Sequence, residues 1–347
     1  MAISLHTTNA FAAVAAMSQD EFIKKVKTEE GDAQLTAWQN APAQPAATIG
    51  KLGALIDGSN SPTQKCAEEC IHQIVHSAGK RTEGKKRDAI TRELIQLIDP
   101  SNMAKTRQAF RCLSLIADGE YVPQLAKYLE EEVLFEEAVF CIERIPGEAS
   151  AKALMGALDK VPDKHKERLI AALGHRRDAS AVGKLSYLMM SSNHDIALKA
   201  TEAISKIGIQ PAEGTEPPKF NELEGRQKAK LADCYLRFCD HMIKKNQNLG
   251  FARDTLMGML GAEEGKIPEH FVCAAMVSLS KWDDPEAVRA IGMKLGYEPS
   301  YIVRQTAKNL LLGMKGDSVD STIQMGIEHL EGDKKKALQE ILKARKG

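Results

Sequence analysis

The stretch LIAALGHRRDASAVGKLSYLM, residues 169–189, holds the pattern that decides the fold. Leu169, Ala172 and Leu173 recur at a spacing that places them on one face of an α-helix. The cations HRR follow this apolar run, where they complement the negative C-terminal end of a helix dipole. Asp178 is typical of a residue that caps the start of the next helix. The stretch therefore predicts two helices joined by a turn, rather than a catalytic cluster.

The same pattern returns along the chain with a period of about 31 residues. Ile142, Leu173 and Ile204 are successive members of the series, each one period after the last. We call these three and their equivalents the anchor positions; the others are Ile71, Leu113, Leu279, Leu311 and Ile341. A second apolar pair, such as Leu125 and Leu129, follows most anchors at a constant distance. A repeat of this length predicts helix pairs that stack on one another.

Helix pairs of this length, with small residues at the crossing and Asp at the turn, resemble HEAT repeats. The matching segments are VFCIERIPGEASAKALMGAL, LIAALGHRRDASAVGKLSYLM and IALKATEAISKIG, which are similar to the short bacterial repeats of phycobilisome-lyase-type proteins. The resemblance implies an all-α, right-handed superhelical solenoid of the HEAT/armadillo type, with about eight to nine helix pairs. It implies little about function, because such repeats serve as scaffolds in unrelated settings.

Four segments are expected from the spacing and composition. They are an N-terminal helical cap at 1–44, a HEAT-repeat array at 45–208, a linker at 209–221, and a long irregular hairpin followed by further repeats at 222–347. The linker is predicted because IQPAEGTEPPKFN contains three prolines and no apolar period.

The composition narrows the partner class and the compartment. Lys+Arg and Asp+Glu both number 47, so no net charge draws the chain to nucleic acid or to an anionic membrane. Seven cysteines within apolar helical runs suit free thiols in a reducing compartment. No apolar run approaches the roughly 18 residues that span a bilayer. The N-terminus lacks a basic region, so we expect a cytoplasmic protein, with a cleaved signal peptide as the less favoured alternative.

A metal or catalytic site has little support in the sequence. His72 and His76 stand four residues apart and could share a metal on one helix. Cys70, however, falls in the apolar register, so we expect two surface histidines beside buried thiols. The chain also lacks the His-Glu pairs of di-iron HEAT enzymes, a glycine-rich phosphate loop and a nucleophile elbow. We therefore expect no cofactor and favour a protein that is not an enzyme.

The favoured function is a non-catalytic scaffold that binds a protein partner along its concave face. Phe110, Phe140 and Ile170 occupy related positions in three successive repeats and are predicted to form an apolar ridge. The alternative for these residues is packing between repeats. Glu131 and Glu136 lie beside the ridge in sequence and would favour a basic or amphipathic partner segment.

Two other functions stay open at this point. A nucleic-acid-binding protein would use the basic C-terminal tail and a basic loop formed by Lys80, Arg81, Lys85, Lys86 and Arg87. Strong salt dependence of binding would mark that function. A bilin-lyase-like or protein-modifying enzyme would carry a chromophore or metal through purification.

Overall fold

The computed structural model describes residues 17–79, 84–215, 218–219, 223–261, 267–295 and 300–346. This part of the chain contains nineteen α-helices and no β-strand, which confirms the predicted all-α class. Two compact units make up the chain, Met1–Pro162 and Asp163–Gly347.

The helices of the first unit pack in two rows. They are α1 (Gln19–Lys27), α2 (Gly31–Asn40), α3 (Thr48–Gly53), α4 (Pro62–Ser77), α5 (Gly84–Gln96), α6 (Met103–Ile116), α7 (Val122–Ala126), α8 (Phe135–Arg144) and α9 (Glu148–Ala157). In one row α4 packs on α6 and α6 packs on α8. In the other row α3 packs on α5, and α7 packs on α9. This arrangement is a stack of helix pairs.

The second unit, taken by itself, is also a stack of helix pairs. Its helices are α10 (Asp163–Arg176), α11 (Val182–Met189), α12 (His194–Ile207), α13 (Gly225–Lys245), α14 (Leu249–Gly261), α15 (Glu269–Leu279), α16 (Pro285–Met293), α17 (Tyr301–Gly313), α18 (Asp317–His329) and α19 (Gly332–Lys346). One row runs through α10, α12, α13, α15, α17 and α19. The long helix α13, for which we expected an irregular hairpin, lies in this row between repeat helices.

The anchor positions form the core of both units. All eight are buried, and none is more than 2% exposed. They lie on α4, α6, α8, α10, α12, α15, α17 and α19. Burial of one such side chain contributes about 1.5–3 kcal/mol to folding. The period read from the sequence therefore identifies the buried stripe of each repeat.

The turn at Asp178 is a helix junction, as predicted. Helix α10 ends at Arg176, and Arg177 adopts a left-handed conformation with a φ of 53°. The Asp178 side chain accepts a hydrogen bond from the Ser180 backbone N–H at 3.4 Å, at the start of the turn that leads into α11. In another repeat Asp284 caps α16 in the same way, and Pro285 is the first residue of that helix.

Polar side chains link successive repeats at the same period. Each of these bonds joins residues 30–32 positions apart, so it connects equivalent places in neighbouring helix pairs. The pairs are Lys51–Asp20 at 3.3 Å, Arg107–Glu137 at 3.1 Å, Asn193–Asp163 at 3.4 Å and Gln227–Asp195 at 2.9 Å. Exposed bonds of this kind contribute only about 0.2–1 kcal/mol each. The buried stripe therefore supplies most of the stability.

Gly174 lies where α10 and α12 approach each other closely. A Cβ atom at this position would lie 2.7 Å from the Cα atom of Ala203 and 2.9 Å from its Cβ atom. The obstructing atoms belong to the backbone and the first side-chain carbon, so they have no rotamer by which to move away. A glycine is therefore required here for packing.

We predict that Gly174→Ala lowers the free energy of unfolding by about 1–3 kcal/mol, because the two helices must separate. Urea denaturation followed by circular dichroism measures this change. Gly183→Ala on α11 is the matched control, since a Cβ there meets nothing within 4 Å. The control should leave stability unchanged or raise it by up to about 1 kcal/mol. Equal stabilities of the two variants would contradict the packing described.

Candidate functional site

The second unit contains an apolar cleft of about 580 Å³ between α12, α13 and α14. Ile204, Phe238 and Met259 each contribute a wall from one of these helices. Residues 210–215, which follow α12, form a further wall. We call this feature the α13 cleft. Its few polar groups are mainly hydroxyls, such as those of Thr201 and Ser205, so it suits an apolar group rather than a charged one.

Two aromatic rings join α13 to α14 at the cleft. Phe238 and Phe251 meet edge to face, with ring centroids 6.0 Å apart and an interplanar angle of 84°. Phe238 is buried, whereas Phe251 is 45% exposed. An edge-to-face pair adds about 0.5–1.5 kcal/mol beyond area burial. The cleft thus presents a half-exposed aromatic ring that is already held in place.

The loop wall of the cleft is held by hydrogen bonds. The Ala212 backbone N–H donates to Ser186 Oγ at 2.9 Å, and the Thr215 N–H donates to the Ala212 carbonyl at 3.1 Å. The Asn248 amide also donates to the Gln210 side chain. Residues 210–215 belong to the segment that we predicted to be a linker. In the structure these residues pack against the helices of the second unit.

The titratable side chains on the α13 wall are neutral at physiological pH. Burial raises the pKa of the Cys234 thiol to about 12. Burial also raises the pKa of the Tyr235 hydroxyl to about 12. A thiol with such a pKa carries almost no thiolate at pH 7, so Cys234 is not an activated nucleophile. Both side chains therefore line the cleft in their neutral forms.

Glu202 connects two walls of the cleft, α12 and α13. Its carboxylate lies 2.7 Å from Lys206 Nζ and 3.3 Å from Lys199 Nζ on its own helix. Lys230 of α13 lies 2.9 Å from the same carboxylate. Burial raises the pKa of Glu202, but the hydrogen bonds from Lys206 and Lys230 outweigh that effect and hold the pKa at about 2. Glu202 is therefore ionised at neutral pH and braces α12 against α13.

The predicted apolar ridge is not an exposed surface at two of its three positions. Phe110 is fully buried and packs edge to face on Tyr128, with ring centroids 5.6 Å apart. Ile170 is also fully buried. These positions lie on the flank of an anchor helix, where neighbouring parts of the stack bury apolar side chains. Phe110 and Ile170 are therefore core residues in the structure, and they do not form part of an exposed ridge.

Phe140 and the neighbouring acidic residues do reach the surface of the first unit. Phe140 is half-buried, with the Arg144 guanidinium 3.7 Å from its ring centroid. Glu131 and Glu136 are exposed, and Val133 between them is 61% exposed. A partner-binding role for Phe140, Glu131 and Glu136 stays a prediction.

The weak metal candidates lie on α4. The His72 and His76 rings have centroids 6.4 Å apart, and burial lowers the pKa of His72. Among the described residues no three His, Cys, Asp or Glu side chains come together as metal ligands. All seven cysteines are free, and only Cys273 is more than slightly exposed.

Two residues of the predicted basic loop make contacts within the fold. Lys80 and Arg81 lie outside the described residues. Lys85, Lys86 and Arg87 belong to the first turn of α5 rather than to a loop. Lys86 donates to the Pro42 carbonyl at 3.1 Å, and Arg87 lies 3.3 Å from the Asp118 carboxylate. Of the three described cations, only Lys85 is exposed, and the other two are half-buried.

The basic C-terminal tail also has a structural contact. Arg345 on α19 donates to the carbonyls of Leu311 at 2.6 Å and Met314 at 2.7 Å, at the end of α17. Its guanidinium also lies 2.5 Å from the Asp320 carboxylate. Arg345 thus satisfies backbone acceptors that a helix leaves without intrahelical partners.

The α13 cleft was not predicted from the sequence. Its residues lie in the segment where the repeat period fails, so no repeat pattern indicates them. One signal was present, namely three aromatic residues, Tyr235, Phe238 and Phe251, within a short part of a chain that is only 5% aromatic. The approach of residues 210–215 depends on contacts with Ser186 and Asn248, which sequence spacing does not reveal.

No protein-family model and no curated protein matches the chain. Solved structures are similar to it in fold. Kap121p, a karyopherin with a HEAT/ARM-repeat solenoid, matches with a TM-score of 0.55 and 9% identity, over 94% of this chain and 41% of Kap121p. A triple mutant of Kap121p matches with a TM-score of 0.54 and 8% identity, over 94% of this chain and 40% of that one.

The chain thus spans well under half the length of these similar structures. At this level of identity the likeness shows the fold alone, which is a HEAT/ARM-type helical-repeat fold. None of the helices in the described ranges is both long and apolar enough to cross a membrane.

We predict that the brace at Glu202 makes stability depend on pH. Because the folded-state pKa is about 2, below the ordinary 4.5, the carboxylate stabilises the fold above pH 4.5 and loses this effect as pH falls toward 2. Glu202→Gln should therefore lower the free energy of unfolding at pH 7 by about 1–3 kcal/mol relative to the parent. At pH 3 the free energies of unfolding of variant and parent should differ by less. Urea denaturation at the two pH values measures this.

Glu224→Gln provides the control for that comparison, since Glu224 is an exposed carboxylate just before α13. It should change stability little at either pH. A Glu202→Gln variant with the same pH profile as the parent would show that the ion pairs of Glu202, including the one with Lys230 of α13, do not stabilise the fold.

Proposed function

We propose that the chain is a non-catalytic helical-repeat scaffold, and that it binds a protein partner at the α13 cleft. The observation that carries this proposal is an apolar cleft whose wall includes the half-exposed Phe251 ring. Binding energy at protein interfaces concentrates where a large apolar side chain fills a pocket of this kind. The partner would supply that side chain.

The rim of the cleft favours a protein over a small ligand. Ile209 and Leu249 are 39% and 38% exposed. Each is the chain neighbour of one member of the Gln210–Asn248 hydrogen bond, and Gln210 lines the cleft, so the two apolar residues lie beside it. A small ligand would leave this apolar rim in water, whereas a protein segment would cover it.

The chemistry of the thiols supports a binding role over catalysis. Burial raises the pKa of Cys112, Cys234 and Cys239 to about 12, so these residues are protonated at neutral pH. The likeness to Kap121p supports the repeat fold and leaves the partner open. Assignment to the short, phycobilisome-lyase-like bacterial type is a finer proposal that rests on the repeat period.

The first unit offers a second proposed contact. Phe140 with Val133, Glu131 and Glu136 combines partly exposed apolar groups with acidic ones. Such a surface would suit a basic or amphipathic segment. It is independent of the α13 cleft and has its own test variant, Phe140→Asp.

The tagged full-length chain should capture a discrete protein partner from its native lysate at both low and high salt. Phe251→Asp should abolish this capture, because a carboxylate in the apolar wall would be desolvated on binding. Tyr301→Asp on α17 is the matched control, since Tyr301 is 68% exposed and lies outside the cleft. Quantitative mass spectrometry of the captured proteins compares the variants.

If Phe251→Asp and Tyr301→Asp reduce the capture equally, the α13 cleft is not the binding site. If the chain recovers only nucleic acid, and recovers it only at low salt, the protein-binding function is contradicted. Loss of capture with Phe140→Asp, with Phe251→Asp unchanged, would move the site to the first unit. Circular dichroism of every variant checks that it is folded.

A further inference from the structure

We infer that the partner segment is acidic and amphipathic, with a large apolar side chain in the α13 cleft and carboxylates facing a basic edge beside it. The basic edge consists of Arg177, Lys244 and Lys245, whose charges act on His241 between them and the cleft. This inference rests on the proposed function and adds the chemistry of the partner. It departs from the sequence expectation, in which the acidic residues of the first unit favoured a basic partner.

The basic edge continues the wall of the cleft along α13. His241 lies seven residues after Cys234, which corresponds to two helical turns and nearly the same face. Cys234 and Phe238 line the cleft on that helix. A segment that enters the cleft and runs along α13 toward its C-terminal end would therefore meet His241.

Contacts at Gly208 join the edge to the mouth of the cleft. Gly208 ends α12 with a φ of 73°, and a Cβ there would lie 2.7 Å from the His241 Cγ atom. The Lys245 ammonium donates to the Gly208 carbonyl at 3.4 Å. Gln210, two residues later, lines the cleft. The edge and the cleft are thus parts of one surface within the second unit.

The charges at the edge are predominantly positive. Burial lowers the pKa of His241, and so do the charges of Lys245, Arg177 and Lys244, whereas only the Asp240 carboxylate raises it. Asp240 is engaged by Lys244 at 3.6 Å. Arg177 and Lys245 are both exposed. An excess of cations beside an apolar cleft complements carboxylates that flank an apolar side chain.

The loop wall sets the direction of the segment. Glu213 is the carboxylate among the residues that line the cleft. It would repel acidic residues placed over residues 210–215. The acidic flank should therefore lie toward the C-terminal end of α13, with the apolar side chain between it and the loop.

Selection from a displayed library of short random peptides tests this inference on the full-length chain. Selection should enrich peptides that combine Leu, Phe, Met or Trp with neighbouring Asp or Glu. One enriched peptide, synthesised with a fluorophore, then gives a Kd by fluorescence anisotropy. Phe251→Asp and the milder Phe251→Ala should both raise this Kd, the former by about tenfold or more.

Charge reversal separates the edge from the cleft. Lys245→Glu should raise the Kd about tenfold at low salt and less at high salt, because salt screens exposed charges. Lys281→Glu, which reverses an exposed lysine outside the cleft and the edge, is the matched control and should leave the Kd nearly unchanged.

The outcomes distinguish the two proposals. The acidic partner would be overturned if the enriched peptides lack acidic residues. It would also be overturned if Lys245→Glu leaves the Kd unchanged while Phe251→Asp raises it. In both cases the proposed function would still stand. Failure to enrich any peptide, or a Kd that neither Phe251 variant changes, would overturn the cleft as a site for a protein segment.

Discussion

Packing of each anchor helix against the next within a unit, through one buried apolar stripe, is the interaction on which the structure depends. A single helix pair of about 31 residues is too small to bury its own apolar face. Each pair is therefore stabilised by its neighbours, and the anchor side chains supply most of that burial. The polar bonds between repeats lie at the surface and add little energy, but they join equivalent positions. They favour one register of helix against helix.

The α13 cleft arises where this regular packing changes. The 21-residue α13 is much longer than the other helices of its row, and residues 210–215 fold back against Ser186 instead of leading directly into the next helix. Aromatic rings and hydroxyls therefore line a space that a regular repeat would fill. The ionised Glu202 with its lysines holds α12 and α13 together beside that space. The ion pairs of Glu202 and the lining of the cleft are thus made by separate side chains of the same two helices.

Features that depend on local spacing could be predicted from the sequence, whereas features that depend on contacts between distant residues could not. The anchors could be predicted, because a helix that buries one face must repeat apolar residues every three or four positions, and a stack must repeat that face at a constant interval. Phe110 and Ile170 were harder to assign, because the same helical position serves either a packed flank or an exposed ridge. The charge of Lys86, Arg87 and Arg345 is evident from the sequence, whereas the groups that these side chains contact are distant in the chain. The cleft depends on such distant contacts throughout, so the period did not indicate it.

Hydrogen–deuterium exchange of the full-length chain, alone and with its captured partner, tests the central claim most directly. If a partner side chain occupies the α13 cleft, amides near residues 201–215, 234–245 and 249–259 should become more slowly exchanging in the complex. The anchor helices of the first unit should be unchanged. Protection confined to the region around Phe140, or spread evenly over both units, would contradict the account.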